Sequence, residues 1–222
     1  MFKELSKFER ILWITSVVTV TVAFAFSKGD LLSLIASLIG VTALVFVAKG
    51  FVIGQVLTVV FAVFYGVISY YFKYYGEMIT YVFMTSPIAV LAIISWAKNP
   101  FKGTKEVKVN KMTKKQTAVM CGLALIVTAV FYFILKAMGN ASLLLSTVSV
   151  TTSFIASYLT FMRSPYYAVG YAANDLVLIG LWIAASTKDI AYLSMVLCFV
   201  MFFVNDMYGF FNWRRMEKRQ GM

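Results

Sequence analysis

Apolar residues run along the chain in eight blocks, at about 11 to 27, 31 to 48, 51 to 72, 78 to 97, 117 to 137, 141 to 162, 165 to 186 and 189 to 212. Short polar breaks such as SKGD, AKG, GN, RSP and STKD separate them, with one longer basic stretch, KNPFKGTKEVKVNKMTKK. Each block is close to the roughly 20 residues that a membrane-spanning helix needs. A block such as LLSLIASLIGVTALVFVA is apolar on every face, unlike the roughly ten-residue strands of alternating polarity that build outer-membrane barrels. A helix satisfies its own backbone in lipid, so the pattern predicts an all-α integral membrane protein with eight transmembrane helices.

Composition sharpens this picture. With 61% hydrophobic and 13% charged residues and a mean hydropathy of +0.85, the chain is too apolar for a soluble domain of its size. Its 20 Phe and 13 Tyr suit helices that carry aromatic residues at the headgroup level. His is absent, which removes the usual general base and the commonest zinc ligand. Cys121 and Cys198 both fall inside apolar blocks and read as small packing residues. No metal and no cofactor is implied. The first block has a basic flank but no small-x-small cleavage site before SKGD, so it reads as a retained helix.

The net charge of +11 would suggest nucleic acid in a soluble protein, but the bases sit between the apolar blocks. Eight spans with both termini inside collect on the cytoplasmic side Lys3, Lys7, Arg10, Lys49, the lysines from Lys98 to Lys115, Arg163, Arg214, Arg215, Lys218 and Arg219. Only Lys28, Lys73, Lys136 and Lys188 remain outside. That asymmetry predicts a multi-pass protein of the inner, cytoplasmic membrane with both termini cytoplasmic.

Landmarks recur along the two halves. Lys49, Lys73 and Trp96 are spaced by 24 and 23 residues, and Arg163, Lys188 and Trp213 by 25 and 25. Each half then reads as a cytoplasmic base, an outward base and a Trp at the cytoplasmic end. The expected plan is 1+3+1+3, two parallel three-helix repeats joined by one helix, as in the sugar transporters called SWEETs. It divides the chain into an N-terminal helix (1–28), a first bundle (29–98), a basic loop with a linking helix (99–140), a second bundle (141–213) and a basic tail (214–222).

Polar side chains at membrane depth cost roughly a few kcal/mol, so they tend to face the bundle interior or a wet cavity. The same dipeptide appears twice here, as Asn174–Asp175 and Asn205–Asp206. On a helix, Tyr171, Asp175, Leu178 and Trp182 share one face, as do Asn205, Tyr208 and Asn212. Rings together with amides or carboxylates suit a planar, hydroxylated solute. Gln55, Tyr65 and Tyr81 are candidates for the facing wall, and Trp96 for a further contact. Asn174, Asp175 and Asn205 are expected to line one central cavity, with Trp182 and Tyr208 close by. The structural alternative is interhelical glue for the amides and carboxylates and packing for the rings. Trp213 and Trp96 stand at helix ends, where belt tryptophans are common. Pro87 is expected to bend its helix and free a carbonyl, a candidate gating point.

Several stretches together resemble the PnuC-type transporters of nicotinamide riboside and related vitamins: VAKG, FYGVISYYFKYYGEMI, SPIAVLAIISW and VNDMYGFFNWRRM. The likeness covers nearly the whole chain and includes the basic loop. It implies a SWEET-like 3+1+3 bundle, sometimes with an extra first helix and often a homotrimer. It further implies a facilitator whose solute is trapped by a separate intracellular kinase. The absence of GxxxxGK[ST] agrees, since no ATP-cradling loop is encoded. One departure stands out. Members for nicotinamide riboside usually show Pro-x-Gln-x-x-Gly-Trp-x-x-Trp in the fourth span, and only Pro87 and Trp96 match. The missing amide, glycine and first Trp make another nucleoside, such as a deoxynucleoside, or thiamine the rival solute.

Two other classes compete. An intramembrane aspartyl protease would use paired carboxylates such as Asp175 and Asp206, but AND and VND are not that family's YD and GxGD. A channel would show a short selectivity segment, and none is visible.

Overall fold

A computed structural model describes residues 2–27, 30–71, 74–140 and 142–221. Lys28 and Lys73, two of the four predicted outward bases, lie outside the described residues. Eight helices among them are long and apolar enough to cross a membrane. They are α1 (Lys7–Ser27), α2 (Leu31–Ala48), α3 (Val52–Tyr71), α4 (Tyr75–Ala97), α5 (Lys114–Ala137), α6 (Leu143–Phe161), α7 (Tyr167–Ser186) and α8 (Leu193–Arg219).

Caps explain several boundaries. Asp30 Oδ1 accepts from the Ser33 N–H at 2.8 Å and starts α2. Thr113 and Gln116 form a reciprocal capping box, so α5 begins at Lys114, inside the stretch expected to be loop. Helix α8 runs on through Trp213–Arg219, where a tail was expected, because nothing in WRRMEKR breaks a helix.

In α4, Thr80–Thr85 is a π-helical turn that leads into Ser86–Ala97, with Pro87 in its first turn. Proline lacks the N–H that would close an α-helical bond and crowds the preceding turn, and widening the backbone absorbs both. The helix thus accommodates Pro87 by a bulge.

Helix α2 packs against α3 and α8, α7 sits between α6 and α8, and α4 contacts both α3 and α6. Helix α1 leans on α2 and α8, while α5 lies against α6 and is the least buried span. Close crossings need small residues: a Cβ on Gly40 of α2 would stand 2.3 Å from the Phe202 ring, and one on Gly170 of α7 would stand 2.9 Å from Ala156 Cα.

Both termini and the basic loop meet at one end of the bundle, called here the basic end. Lys105 pairs with Glu4, and Arg219 pairs with Glu106. Gln220 grips the loop twice, accepting from Val109 N–H at 2.8 Å and donating to Val107 O at 3.1 Å.

The same end carries two matching joints. Helices α2 and α6 both finish in a left-handed turn, at Gly50 (φ 69°) and Arg163 (φ 58°). In each turn two backbone N–H groups fold back: Gly50 to Val47 O and Phe51 to Phe46 O, Arg163 to Thr160 O and Ser164 to Leu159 O. Carbonyls at these ends are also met from across the bundle. Asn212 Nδ2 donates to Ala48 O (2.8 Å) and Trp213 Nε1 to Val47 O (2.9 Å). Ser95 Oγ donates to Phe161 O (3.1 Å) and Trp96 Nε1 to Thr160 O (3.0 Å). The basic loop ties the two turns together, with Val107 N–H on Gly50 O (2.9 Å) and Asn110 N–H on Arg163 O (3.0 Å).

Candidate functional site

At the centre of the bundle a cavity opens between α2, α3, α4, α7 and α8. Gly40, Ala43, Leu44 and Val47 form its α2 wall; Gln55, Thr58 and Phe61 come from α3; Tyr81 and Thr85 from the π-helical turn of α4; Tyr171 and Asp175 from α7; Phe202 and Asp206 from α8. Helical spacing makes each wall, since these residues recur at three- and four-residue intervals along each helix. The cavity is narrow, about 50 Å³, against the roughly 300–1,000 Å³ of a formed small-molecule site. A solute therefore has to part the walls.

Aromatic layers close the cavity on both sides. Toward the end opposite the basic one, Tyr65 stacks on Phe61 (5.5 Å between centroids) and meets Tyr81 edge-on (4.5 Å). Its hydroxyl accepts from Trp182 Nε1 at 3.1 Å, and Trp182 packs against Tyr74 (5.1 Å). Toward the basic end, Trp213 packs on Trp96 (5.3 Å) and Tyr167 (4.9 Å). Tyr74, just outside the membrane-spanning helices, has its phenol pKa pushed up by burial.

The carboxyls of Asp175 and Asp206 meet across the cavity, in hydrogen-bond contact. Such a contact between two carboxyls needs at least one proton between them. No donor from the protein reaches Asp175 Oδ2, and the Thr85 hydroxyl likewise has no partner among the described residues.

The structure separates the sequence candidates into three groups. Gln55, Tyr81, Tyr171, Asp175 and Asp206 line the cavity. Tyr65 and Trp182 build the aromatic layer behind it, and Trp96 belongs to the layer at the basic end. Trp96 and Trp213 are fully buried and bonded to carbonyls, so neither is a belt tryptophan. Asn174, Asn205, Tyr208 and Asn212 turn elsewhere, contrary to expectation. Asn174 Oδ1 accepts from Ser149, Thr152 and Ser153 of α6 at 2.9–3.1 Å. Asn205 Nδ2 donates to Ser16 of α1 (2.9 Å), Tyr208 donates to Glu9 of α1 (2.8 Å), and Asn212 caps α2. Adjacent helical residues point about 100° apart. In each Asn–Asp pair the amide therefore faces a neighbouring helix while the carboxyl faces the cavity. Pro87 sits just past the bulge that presents Tyr81 and Thr85.

Thr58, Phe61, Thr85 and Phe202 are cavity residues that sequence reading missed. Their signal was spacing: Thr58 and Phe61 continue the Gln55 face of α3, and Phe202 lies four residues before Asp206. A carboxylate also went unremarked: Glu77 of α4 is fully buried, with Ser149 Oγ at 3.4 Å from Oε2 and Oε1 without a partner.

Other hollows are less suited to a solute. One of about 490 Å³ at the basic end, lined by Glu4, Phe51, Trp96, Lys105 and Glu106, is shallow and open, and its charges are already paired. Among the described residues no group of three or more potential metal ligands is assembled.

The fold has a known counterpart. A crystal structure of the vitamin B3 transporter PnuC superposes with a TM-score of 0.84 at 26% identity, covering 98% of this chain and 94% of that one. The nicotinamide riboside transporter PnuC of Neisseria mucosa is 29% identical over 203 residues, 89% of this chain and 77% of its own. That of Haemophilus influenzae is 23% identical over 199 residues, covering 89% and 85%. With the nicotinamide mononucleotide transporter model matching residues 30–215, the chain belongs to that transporter family.

Proposed function

We propose that the chain is a facilitative transporter that takes up nicotinamide riboside or a closely related nucleoside-like vitamin. The family is one of membrane transporters and not of enzymes, so Asp175 and Asp206 are read as cavity groups and not as a protease dyad. The observation that carries the proposal is a central cavity lined by rings and unmet polar oxygens and closed by aromatic layers on both sides. The relatives named as nicotinamide riboside transporters give the solute class.

Transport in this reading is alternating access, in which one three-helix unit (α2–α4) rocks against the other (α6–α8), with α1 and α5 outside the repeat. The matched joints of Ser95–Trp96 and Asn212–Trp213 support such a 1+3+1+3 plan, because equivalent residues bond equivalent carbonyls. The Pro87 bulge is the proposed flexing point of α4. The basic end faces the cytoplasm of an inner membrane, as the positive-inside rule directs. A homotrimeric assembly and trapping by a separate kinase complete the picture. The missing amide and Trp of the fourth span keep a deoxynucleoside or thiamine as the second solute reading.

Uptake of labelled nicotinamide riboside into proteoliposomes tests this. Saturable uptake that stops at equal concentrations inside and outside is expected. Uptake that never saturates, together with no thermal stabilisation by any nucleoside or by thiamine, would overturn it.

A further inference from the structure

A groove of about 430 Å³ runs along the outer surface of the bundle where α1 meets α8. Phe8 and Leu12 of α1 form one bank, and Val204, Met207 and Phe211 of α8 form the other. Phe8 leans on Tyr208 at 5.2 Å between ring centroids, and the Tyr208 hydroxyl closes the floor by donating to Glu9. The banks open outward, with Phe8 59% exposed, Val204 41% and Phe211 55%. The mouth lies at the basic end, where Ser6 and Arg215 line it. Val204 lies 11 residues before Arg215, roughly 16 Å along the helix at 1.5 Å per residue. Half of a hydrocarbon core of roughly 30 Å is about 15 Å. The groove therefore runs from headgroup level to mid-bilayer, the reach of one acyl chain.

The mouth holds a positive charge that the protein leaves unanswered. Arg215 is exposed and has no ion-pair partner among the described residues. Ser6 Oγ accepts from Glu9 N–H at 3.2 Å, which leaves its own proton to give. Glu9, the carboxylate behind the floor, is already engaged: Lys49 pairs with it at 3.1 Å, and Ser6 N–H and Tyr208 also donate to it. A second copy of the chain has no free carboxylate to offer from this end. Glu4, Glu9, Glu106 and Glu217 are each paired with a Lys or Arg. Asp30 and Asp189 cap helices at the far end, and Glu77, Asp175 and Asp206 are buried. A small soluble anion would satisfy Arg215 but leave the apolar banks bare. We propose that this groove holds one anionic phospholipid, its phosphate on Arg215 and Ser6 and an acyl chain laid between the α1 and α8 banks. A guanidinium grips phosphate with two parallel N–H donors, and basic pockets between spans are where acidic headgroups collect. Bound there, the lipid braces α1, which buries less of itself than any span but α5, against α8. The inference goes beyond the transport reading and uses no residue of the central cavity lining.

Melting of the purified full chain in mixed micelles tests this, with phosphatidylglycerol set against phosphatidylcholine of the same acyl chains. The anionic lipid should raise the melting temperature by about 3 °C or more above the zwitterionic one, because a ligand bound only to the folded state stabilises it. Arg215→Gln should remove about half of that difference or more. Val204→Trp, which fills the groove with an indole and leaves every charge in place, should do the same. Lys218→Gln alters an exposed base of the same helix that lies outside the groove, and it should leave the difference intact. Glycerol 3-phosphate, a headgroup without chains, should not stabilise the protein. Equal melting temperatures in the two lipids would overturn the inference. So would a loss from Lys218→Gln as large as that from Arg215→Gln, since diffuse surface charge would then suffice. Stabilisation by glycerol 3-phosphate equal to that by the lipid would replace it with a bare phosphate site. The wild-type comparison needs no variant, so a variant that fails to fold does not protect the idea.

Discussion

At the basic end, Trp96 and Trp213 hand their indole N–H groups to Thr160 and Val47, whereas in mid-membrane Asp175 and Thr85 keep oxygens that no donor among the described residues meets. Both places are buried and both are ringed by aromatic residues, so burial and ring content do not tell them apart. Hydrogen-bond completion does. Where every polar atom has a partner, the group fixes the distance between helices. Where one is left over, its burial carries a cost that an arriving partner can offset. Scaffold and binding surface are thus two states of one kind of residue, and each can be tested by removing it.

The largest effect is expected at the joints. Trp213→Ala removes a fully buried indole and its bond to Val47 O, and Trp96→Ala does the same against Thr160 O. Each should cost about 3–5 kcal/mol, read as a large fall in the melting temperature of the purified protein. A loss confined to one of the two would break the equivalence of the joints.

The twin dipeptides come next. Asn174→Ala removes the acceptor shared by three hydroxyls, those of Ser149, Thr152 and Ser153, and should cost about 1–3 kcal/mol of stability. The affinity of the folded fraction for its solute should stay within about twofold. Asp175→Asn should do the reverse, weakening solute binding about tenfold with little loss of stability. Melting curves and titrations on the same samples separate the two outcomes. If Asn174→Ala lowers affinity as much as Asp175→Asn, the division between scaffold and cavity fails.

That division also marks how far the chain could be read without coordinates. Eight apolar blocks and their breaks anticipated the spans closely, because lipid forces every backbone group into a helix. The residues Gln55, Tyr81, Tyr171, Asp175 and Asp206 were legible as rare polar or ring-bearing groups at membrane depth. What the pattern cannot supply is rotation. Asn205, Tyr208 and Asn212 do share a face, but it is the one turned to α1 and α2 and away from the cavity. With apolar residues on every side of α8, no hydrophobic stripe identifies which polar face looks inward. The π-helical turn was hidden for a related reason. Pro87 announces a disturbance, yet whether the helix kinks or widens depends on its packing partners.

A smaller and more pointed effect is expected at Thr85. Replacing its hydroxyl by a methyl in Thr85→Val deletes a buried polar atom that has no partner among the described residues. Stability should rise by about 1 kcal/mol, since no hydrogen bond is lost and a desolvation cost is relieved. Solute affinity should fall by about threefold, as one possible contact goes. A Thr85→Val protein that is both less stable and unchanged in affinity would place this hydroxyl with the scaffold.

The smallest effect belongs to the rim, where Glu4 meets Lys105 at 2.5 Å on the water-exposed surface. The hydrogen bond from Lys105 holds the Glu4 carboxyl below the ordinary glutamate value. A folded-state pKa that is depressed contributes stability above the unfolded pKa, and that contribution is lost as pH falls through the folded one. Glu4→Gln should therefore match the wild type in strong acid and fall slightly behind it only above the ordinary glutamate range. Salt should shrink even that gap, because exposed pairs are screened. A melting-temperature difference that grows as pH drops would mean that Glu4 acts through packing of the Phe2–Glu4 turn and not through its charge. Complete pairing would then matter at the rim for shape alone, as it does for the uncharged Trp96 and Trp213 joints.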